Sequence, residues 1–461
     1  MKKELFINII SEKINTGKCE LFVGSGISRP SNVPSWKTLL APLADNIGIE
    51  LDDEDDLPMI AQYIVNCNSG NKNCIFNRLE ECFDKREPEL NEYHYALSNI
   101  RVNRVWTTNY DLLLERCFSD RKPNPINCNT DLQKNKLNRR MEIIKIHGSI
   151  DGNWDDIVLT QNDYDEVLYK KTALTQKLED SFINSSFLFL GYGYRDPDIR
   201  NLMIAAARKS ESAHSLDHYI ILTNITRKKN ESKEEFAKRK RLFELWIKEL
   251  NRIGIQELLI DTHEELLEIL KEIALRSRGK SIFVSGSHEA EPSKEYSEYG
   301  KRLAKLDDVI MINGQNQGIG IRVVNGFMET AVELKKELED IIKFYPNPYA
   351  ANPNFANDKS LLGWLKHARE SLFVNTQLFV VFAGGIGTRA EYEVAKDRNC
   401  LILPAIAEEK DYDNQLIKDI LEDGYCTRIL EKVPKYRKKL DAKVIPTIDD
   451  LLKATETLLN V

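Results

Sequence analysis

The sequence predicts an α/β protein with two Rossmann-like, doubly wound domains. Short β-prone apolar runs alternate with longer amphipathic segments along the chain, and this alternation is typical of a parallel sheet covered by helices. A glycine-rich turn follows a β-prone run in each half, in ELFVGSG (20–26) and in VVFAGGIG (380–387). The chain has 461 residues, more than one ordinary hydrophobic core fills, so at least two domains are expected.

The first domain is predicted to span residues 1–278, and six β-prone runs supply its strands. These runs are residues 20–24, 102–107, 143–147, 186–191, 218–223 and 255–260. Apolar residues recur at helical spacing in the intervals, which predicts helices over 36–47, 57–68, 164–181, 197–208 and 227–253.

The second domain is predicted to span residues 279–461. A short polar hinge, RSRGKS (276–281), separates the two alternating patterns and sets this boundary. Strands of the second domain are expected over 281–285, 308–313, 377–383 and 400–406.

Charge and cysteine content limit the partners, metal sites and cellular compartment that we expect. The net charge is −7, and because neither half is basic, we expect no nucleic-acid partner. The eight cysteines include no Cys-x-x-Cys pair, so we expect no metal site and a reducing cytoplasm. No stretch approaches the roughly 20 apolar residues that cross a bilayer, so a membrane partner is not expected either.

Three short motifs in the first half each follow a predicted strand. They are GSGIS (24–28), TTNYD (107–111) and KIHGS (145–149), and a further glycine-rich segment, GYGYRDPDIR, covers 191–200. In a doubly wound sheet the carboxyl ends of such strands meet at one crevice, where glycines let a phosphate approach the backbone.

Each polar side chain in these motifs also has an ordinary structural interpretation. Asn109 is a candidate N-cap for a helix over 110–117, and Asp111 would then face the positive end of that helix dipole. His147 is equally interpretable as a buried, hydrogen-bonded residue. It is the order and combination of the motifs that favours a functional site.

Together the motifs resemble the sirtuin superfamily over roughly residues 10–260. The resemblance implies that NAD is the substrate and that its nicotinamide–ribose bond is cleaved. It implies that His147 acts as general base, that Asn109 positions water or a ribose hydroxyl, and that Asp111 orients positive charge. It also implies NAD contacts from Gly24, Ser25, Gly26, Ser28, Thr108, Gly191, Gly193 and Asp196.

The sequence departs from deacetylating sirtuins after the His-Gly motif. Those enzymes carry a zinc module with two Cys-x-x-Cys pairs there, whereas residues 148–186 contain no cysteine. We therefore expect water to be the acceptor and favour NAD hydrolysis. A sirtuin-type NAD-dependent protein deacylase is the alternative.

A second glycine-rich motif, AGGIGTRAEYE (383–393), lies where a predicted strand gives way to a helix, and HAR (367–369) precedes it. Backbone amides at such a junction can bind phosphate. The set resembles the SLOG superfamily over about 280–461, with Ala383 in place of the signature proline.

The SLOG resemblance implies a nucleotide pocket in which Arg369 contacts phosphate and Glu391 contacts ribose hydroxyls. Its expected lining is Ser285, Gly286, Ser287, Gly318, Gly320, Arg369, Gly384, Gly385, Gly387, Thr388, Arg389 and Glu391. Arg389 is interpreted equally well as a surface charge or as a second contact to phosphate. Members of this superfamily either sense a nucleotide or act as nucleotide phosphoribohydrolases, and the second activity is a further alternative.

A zinc-free sirtuin-like domain followed by a SLOG domain resembles the NAD-hydrolysing effectors of the bacterial Thoeris anti-phage defence system. This resemblance implies that a cyclic ADP-ribose isomer binds the second domain and activates NAD hydrolysis in the first. It also implies a cytoplasmic homo-oligomer, a tetramer or a higher assembly.

Overall fold

The structure is a computed structural model, and it describes most of the chain. The described residues are 1–52, 55–84, 88–133, 141–169, 172–191, 217–229, 231–287, 294–315, 318–346 and 362–460. The chain forms two compact units, Met1–Ile273 and Ala274–Val461. The predicted boundary at 278/279 lies a few residues inside the second unit.

Within the described residues, the first unit contains a sheet of seven parallel strands in the order β3-β4-β2-β1-β5-β6-β7. Its strands are β1 (Cys19–Val23), β2 (Arg104–Thr107), β3 (Pro123–Ile126), β4 (Met141–Lys145), β5 (Ser186–Leu190), β6 (His218–Thr223) and β7 (Ile255–Ile260). The predicted α/β class is confirmed. The central strand β1 has β2 on one side and β5 on the other, as a doubly wound sheet requires.

The described residues of the first unit also form helices, some of which pack on this sheet. They are α1 (Lys3–Asn15), α2 (Ser25–Ser28), α3 (Trp36–Asp45), α4 (Leu57–Cys67), α5 (Asn73–Asp84), α6 (Glu92–Ser98), α7 (Leu113–Cys117), α8 (Gln161–Tyr169), α9 (Ala173–Asn184), α10 (Lys233–Arg252) and α11 (His263–Arg276). The predicted helix over 164–181 is wrong as one element, because α8 ends and Thr172 caps a new helix by accepting the Thr175 N–H. The predicted helix 197–208 lies outside the described residues.

Among the described residues, two apolar clusters stabilise the first unit. In the first, α9 places Leu178 and Phe182 against strand residues, and the Phe182 ring lies 4.4 Å from that of Phe187. In the second, α3, α4 and α5 pack on one another around Leu39 and Ile64. This helical cluster also contacts the loop after β2, so it forms one wall of the space beyond the strand ends.

The described residues of the second unit contain a sheet of five parallel strands in the order β10-β9-β8-β11-β12. These are β8 (Lys280–Ser285), β9 (Val309–Asn313), β10 (Ile342–Phe344), β11 (Leu378–Val381) and β12 (Leu401–Pro404). Its helices are α12 (Lys294–Leu303), α13 (Ile319–Glu333), α14 (Leu338–Ile341), α15 (Leu362–Phe373), α16 (Ile386–Asp397), α17 (Gln415–Glu422), α18 (Gly424–Leu430), α19 (Pro434–Asp441) and α20 (Ile448–Leu459). One continuous apolar cluster fills both sides of this sheet.

No helix in the described ranges is both long enough and apolar enough to cross a bilayer.

Candidate active site

Three loops of the first unit meet at one cavity beyond the carboxyl ends of its strands. They follow β1, β2 and β4, and β2 pairs in parallel with both of the others. The cavity has a volume of about 160 Å³, and its lining combines the polar residues Ser25, Thr108, Asn109, Asp111 and His147 with Val33, Pro34, Trp36, Leu39, Leu79, Phe83, Tyr110 and Tyr164. The three candidate catalytic residues therefore share one cavity.

A chain of hydrogen bonds orients the Asn109 side chain. The Ser28 hydroxyl hydrogen-bonds the Asp111 carboxylate, and Asn109 Nδ2 donates to Ser28 Oγ over 3.3 Å. Because an ionised carboxylate only accepts, Ser28 must donate to Asp111 and accept from Asn109. Asn109 Oδ1 is then left buried without a hydrogen-bond partner among the described residues, so this cavity-lining residue offers an unfilled acceptor.

Thr107 fixes the start of the loop that carries Asn109. Its hydroxyl donates to the Val23 carbonyl over 2.6 Å and accepts from the Asn109 N–H over 2.9 Å. The last residue of β2 is thereby tied to the end of β1, which sets the position of Asn109 relative to the first glycine-rich loop.

Asp111 is buried and lies just before a short helix. Burial raises the pKa of Asp111, and the Leu113 N–H, the positive charge of Lys145 and the Ser28 hydroxyl oppose that rise. The helix α7 begins at Leu113 with Leu112 as its N-cap. The interpretation of Asn109 as the N-cap of a helix over 110–117 is therefore wrong, and Asp111 Oδ1 accepts the Leu113 N–H instead, over 3.0 Å.

His147 is held by its backbone and by an aromatic contact. It is 2% exposed, and its ring meets that of Tyr164 edge to face with 5.2 Å between centroids. The next residue, Gly148, has φ +83°, and a Cβ there would lie 2.8 Å from the Asp156 carbonyl oxygen. Glycine is therefore required for the turn that directs the imidazole to the cavity.

The loops after β1 and β5 pack backbone against backbone. The Gly26 N–H donates to the Gly191 carbonyl over 2.9 Å, and the Gly24 N–H donates to Leu190 in the same way. A Cβ on Gly26 would lie 2.7 Å from the Gly191 oxygen. Both amides thus already have protein acceptors, and phosphate contacts by this loop stay a prediction.

The remaining NAD-contact predictions fall in three places. Ser25 and Thr108 line the cavity, whereas Ser28 is engaged with Asn109 and Asp111. Gly193 and Asp196 lie outside the described residues.

Sequence reasoning missed two residues that build this site. Thr107 opens the TTNYD motif, but the motif alone does not indicate its role. Lys145 ends β4 and is fully buried. The signal in the sequence is a lysine that directly follows the apolar pair Ile143-Ile144 of the strand MEIIK, since buried lysines are rare.

In the second unit, the loops after β8, β9 and β11 are hydrogen-bonded together. The Ser287 N–H donates to the Ala383 carbonyl over 2.8 Å, and the Ile319 N–H donates to the Ser287 carbonyl over 3.3 Å. Thr388 Oγ1 contacts the Gly286 carbonyl over 3.4 Å. These contacts bring together most of the predicted pocket residues, namely Ser285, Gly286, Ser287, Gly318, Gly320, Gly384, Gly385, Gly387 and Thr388.

Two helices begin at this group of loops. Gly318 is the N-cap of α13 and Gly385 is the N-cap of α16. Helix N-termini at the carboxyl ends of parallel strands favour anions, because their first N–H groups lack partners within the helix. The geometry is suited to a phosphate-bearing ligand.

The charged candidates of the second unit lie on two packed helices. Arg369 is on α15 and Glu391 is on α16, and these helices contact each other. Arg369 is half-buried and makes no hydrogen bond or ion pair with any described residue. Arg389 forms a 2.5 Å ion pair with Asp419, and hydrogen bonds from Gln415 and Arg389 lower the pKa of Asp419.

Among the described residues, no group of three or more His, Cys, Asp or Glu side chains is arranged to hold a metal ion.

Comparison with known families defines the class of protein. Residues 103–244 match the SIR2-like domain, and residues 265–443 match the Sir2- and TIR-associating SLOG family. The chain is therefore a two-domain protein that joins a SIR2-like domain to a SLOG domain.

Its relatives identify the family within that class. The chain is 30% identical to the NAD(+) hydrolase ThsA of Enterococcus faecium over 76% of each chain. It is 27% identical to the NAD(+) hydrolase ThsA of Bacillus cereus (strain MSX-D12) over 87% of this chain and 86% of that one. It is 26% identical to that of Acinetobacter baumannii (strain 532279) over 98% and 99%. The chain belongs to the ThsA family of NAD(+) hydrolases.

Proposed function

We propose that the first unit hydrolyses the nicotinamide–ribose bond of NAD. The observation that carries this proposal is that Asn109, Asp111 and His147 line one cavity at the carboxyl ends of neighbouring strands. Membership in the ThsA family supports it, since the relatives are named NAD(+) hydrolases.

The geometry suits a reaction through a cation-like ribose. Water adds to the anomeric carbon, the bond to the nicotinamide nitrogen breaks with its electron pair going to nicotinamide, and one water proton is released. Asp111 supplies negative charge near the developing cation, and the unfilled Asn109 Oδ1 accepts a hydrogen bond from the attacking water or a ribose hydroxyl. His147 takes the proton as general base.

The aromatic residues of the lining are suited to contact the nicotinamide ring. Trp36, Tyr110 and Tyr164 give the cavity aromatic walls that can pack against a flat nicotinamide ring and exclude bulk water. The volume of about 160 Å³ is below the roughly 300–1,000 Å³ of sites for drug-sized ligands. A cavity of this size suits the nicotinamide end of NAD, where the bond is cleaved.

Replacing the catalytic candidates tests the proposal. Asn109→Ala and His147→Ala should each lower kcat for NAD loss by about 100-fold or more, because each removes a group that acts on the reacting atoms. Nicotinamide release is measured by chromatography, and His263→Ala, at an exposed histidine of the same unit, is the control. Normal turnover in both variants would remove these residues from the mechanism.

The second unit is proposed to sense a cyclic ADP-ribose isomer and to activate NAD hydrolysis. The N-termini of α13 and α16 support a diphosphate site, and the half-buried Arg369 supports a charged contact to phosphate. Glu391 would accept hydrogen bonds from ribose hydroxyls. The ligand must bind the active arrangement more tightly than the resting one, since equal affinity shifts no population.

We further propose that the protein acts in bacterial anti-phage defence, as a cytoplasmic homo-tetramer or a higher assembly that depletes NAD in infected cells. Light scattering on the full chain, with and without the isomer, tests the assembly. A monomer in both conditions would contradict it.

A further inference from the structure

Lys145 makes an unusual set of contacts for a fully buried lysine. Its Nζ forms a 2.9 Å ion pair with Glu115 of α7 and donates to Ser149 Oγ over 3.0 Å. It also donates to the Asp111 carbonyl, and the Tyr110 carbonyl lies 3.4 Å away. The ammonium group thus contacts both the loop after β2 and the loop after β4.

These contacts join the two loops that carry the catalytic candidates. Asn109 and Asp111 lie on the first loop, and His147 lies on the second. The Ile150 N–H donates to the Tyr110 carbonyl over 3.1 Å, and Ser149 Oγ lies 2.5 Å from Asp151 Oδ1. Lys145 therefore lies at the centre of a hydrogen-bonded junction between the loops.

Stability alone does not explain a buried ion pair at this place. Removing an ammonium and a carboxylate from water costs free energy that their mutual attraction offsets only with good geometry, and apolar replacements of similar volume are often as stable. Burial raises the pKa of Glu115, and the Lys145 charge opposes that rise. The Lys145–Glu115 ion pair therefore costs free energy. Lys145 also donates to backbone carbonyls of the loop that holds the cavity residues.

We propose that Lys145, held by Glu115, is a positioning residue that fixes the loop 109–111 relative to His147. Lys145 does not line the cavity, so it acts through its neighbours and does not contact substrate. Its loss should lower kcat with little change in KM. This inference rests on the proposed NAD hydrolysis.

The test compares Lys145→Met with Arg104→Met in the full chain. Arg104 begins β2, the parallel neighbour of the strand β4 that ends at Lys145. It forms 2.7 Å ion pairs with Glu20 and Glu142, so it controls for loss of an internal ion pair. For Lys145→Met we expect kcat to fall by about 100-fold, the effect of a misplacement near 1 Å, with KM within about threefold of wild type. Arg104→Met should lose thermal stability but keep kcat.

Hydrogen exchange supplies a readout that does not depend on activity. The Ile150 amide should lose protection in Lys145→Met and keep it in Arg104→Met, because only the first variant opens the junction. If the wild-type chain shows no NAD loss, the proposed function fails, and the exchange comparison alone decides the positioning role.

A second variant covers the case in which Lys145→Met does not fold. Glu115→Gln keeps a hydrogen-bond acceptor but removes the charge that holds Lys145, and its kcat should fall by about 10-fold. Unchanged kcat and unchanged Ile150 protection in the folded variant, whether Lys145→Met or Glu115→Gln, would overturn the inference.

Discussion

The Asp111 carboxylate organises the candidate catalytic residues through its preference to accept hydrogen bonds. Ser28 is the link, since it donates to Asp111 and receives the Asn109 amide. A serine predicted to hold phosphate thus has a second task, which is to set the direction of the Asn109 amide.

Removing the Ser28 hydroxyl should therefore alter the pH dependence of the reaction. Burial already raises the pKa of Asp111 and the Ser28 hydrogen bond opposes that rise, so in Ser28→Ala the pKa rises further. Because the mechanism uses the carboxylate form, activity is lost as the pH falls through this pKa, and the acid limb of the kcat profile should move to higher pH.

The matched control is Ser31→Ala, since Ser31 is also buried but hydrogen-bonds Asn91 instead. Its acid limb should coincide with that of wild type. A Ser28→Ala profile that overlays the wild-type profile would show that Asp111 does not act as the carboxylate in the rate-determining step.

At the scale of elements, the approach of two loops decides the shape of the site. The loops after β1 and β5 touch at Gly26 and Gly191, and Gly191 has φ +61°. A Cβ on Gly191 would lie 2.6 Å from the Ile27 backbone nitrogen. The short helix α2, which contains both Ile27 and Ser28, must then move.

Gly191→Ala should accordingly reduce both stability and activity. Gly17→Ala is the control, because Gly17 has a similar φ of +69° but open space around its Cβ position. Backbone strain alone costs about 1–2 kcal/mol, so Gly17→Ala should lose about that much unfolding free energy and keep kcat. Thermal melts and NAD turnover compare the two, and equal stability losses with normal turnover in both would contradict the role of this loop contact.

Hydrophobic periodicity recovered the elements best where the local pattern decides the structure. The strands β6 and β7 have the predicted bounds, because both are apolar, β-prone runs of ordinary length. The strand β3 was missed because PNPI contains two prolines, and such a segment forms a strand only at a sheet edge, where the missing N–H groups need no partner. Whether a segment lies at the edge depends on the order of all the strands in the sheet.

In the candidate site, too, local patterns predict some features, and contacts between distant segments decide the others. The motifs predicted that Asn109, Asp111 and His147 meet, since parallel strand ends converge. The link through Ser28 and the burial of Lys145 depend on distances between segments far apart in sequence, and no local pattern records them.

At the scale of the whole molecule, the glycine-rich loop of the first unit follows its central strand β1, and that of the second unit follows β11, the neighbour of its central strand β8. In the first unit β1 lies between β2 and β5, and in the second β8 lies between β9 and β11. Ligands of doubly wound sheets bind at this point of the topology. This topology supports the proposal of one nucleotide site in each unit, the first for catalysis and the second for sensing.

Arg369→Ala should separate the two tasks. Loss of a charged contact to phosphate should weaken binding of the activating isomer by about 10- to 100-fold, while the first unit keeps its site. Calorimetry measures the binding, and Arg428→Ala, at an exposed arginine of the same unit, should bind normally. Wild-type affinity in Arg369→Ala would exclude this residue from the sensor.

The most direct measurement follows NAD in a solution of the full chain with and without a cyclic ADP-ribose isomer. We expect the isomer to trigger NAD loss with release of nicotinamide, and Asn109→Ala to stop this loss while isomer binding persists. NAD that stays constant in the wild-type protein while the isomer is bound would contradict it.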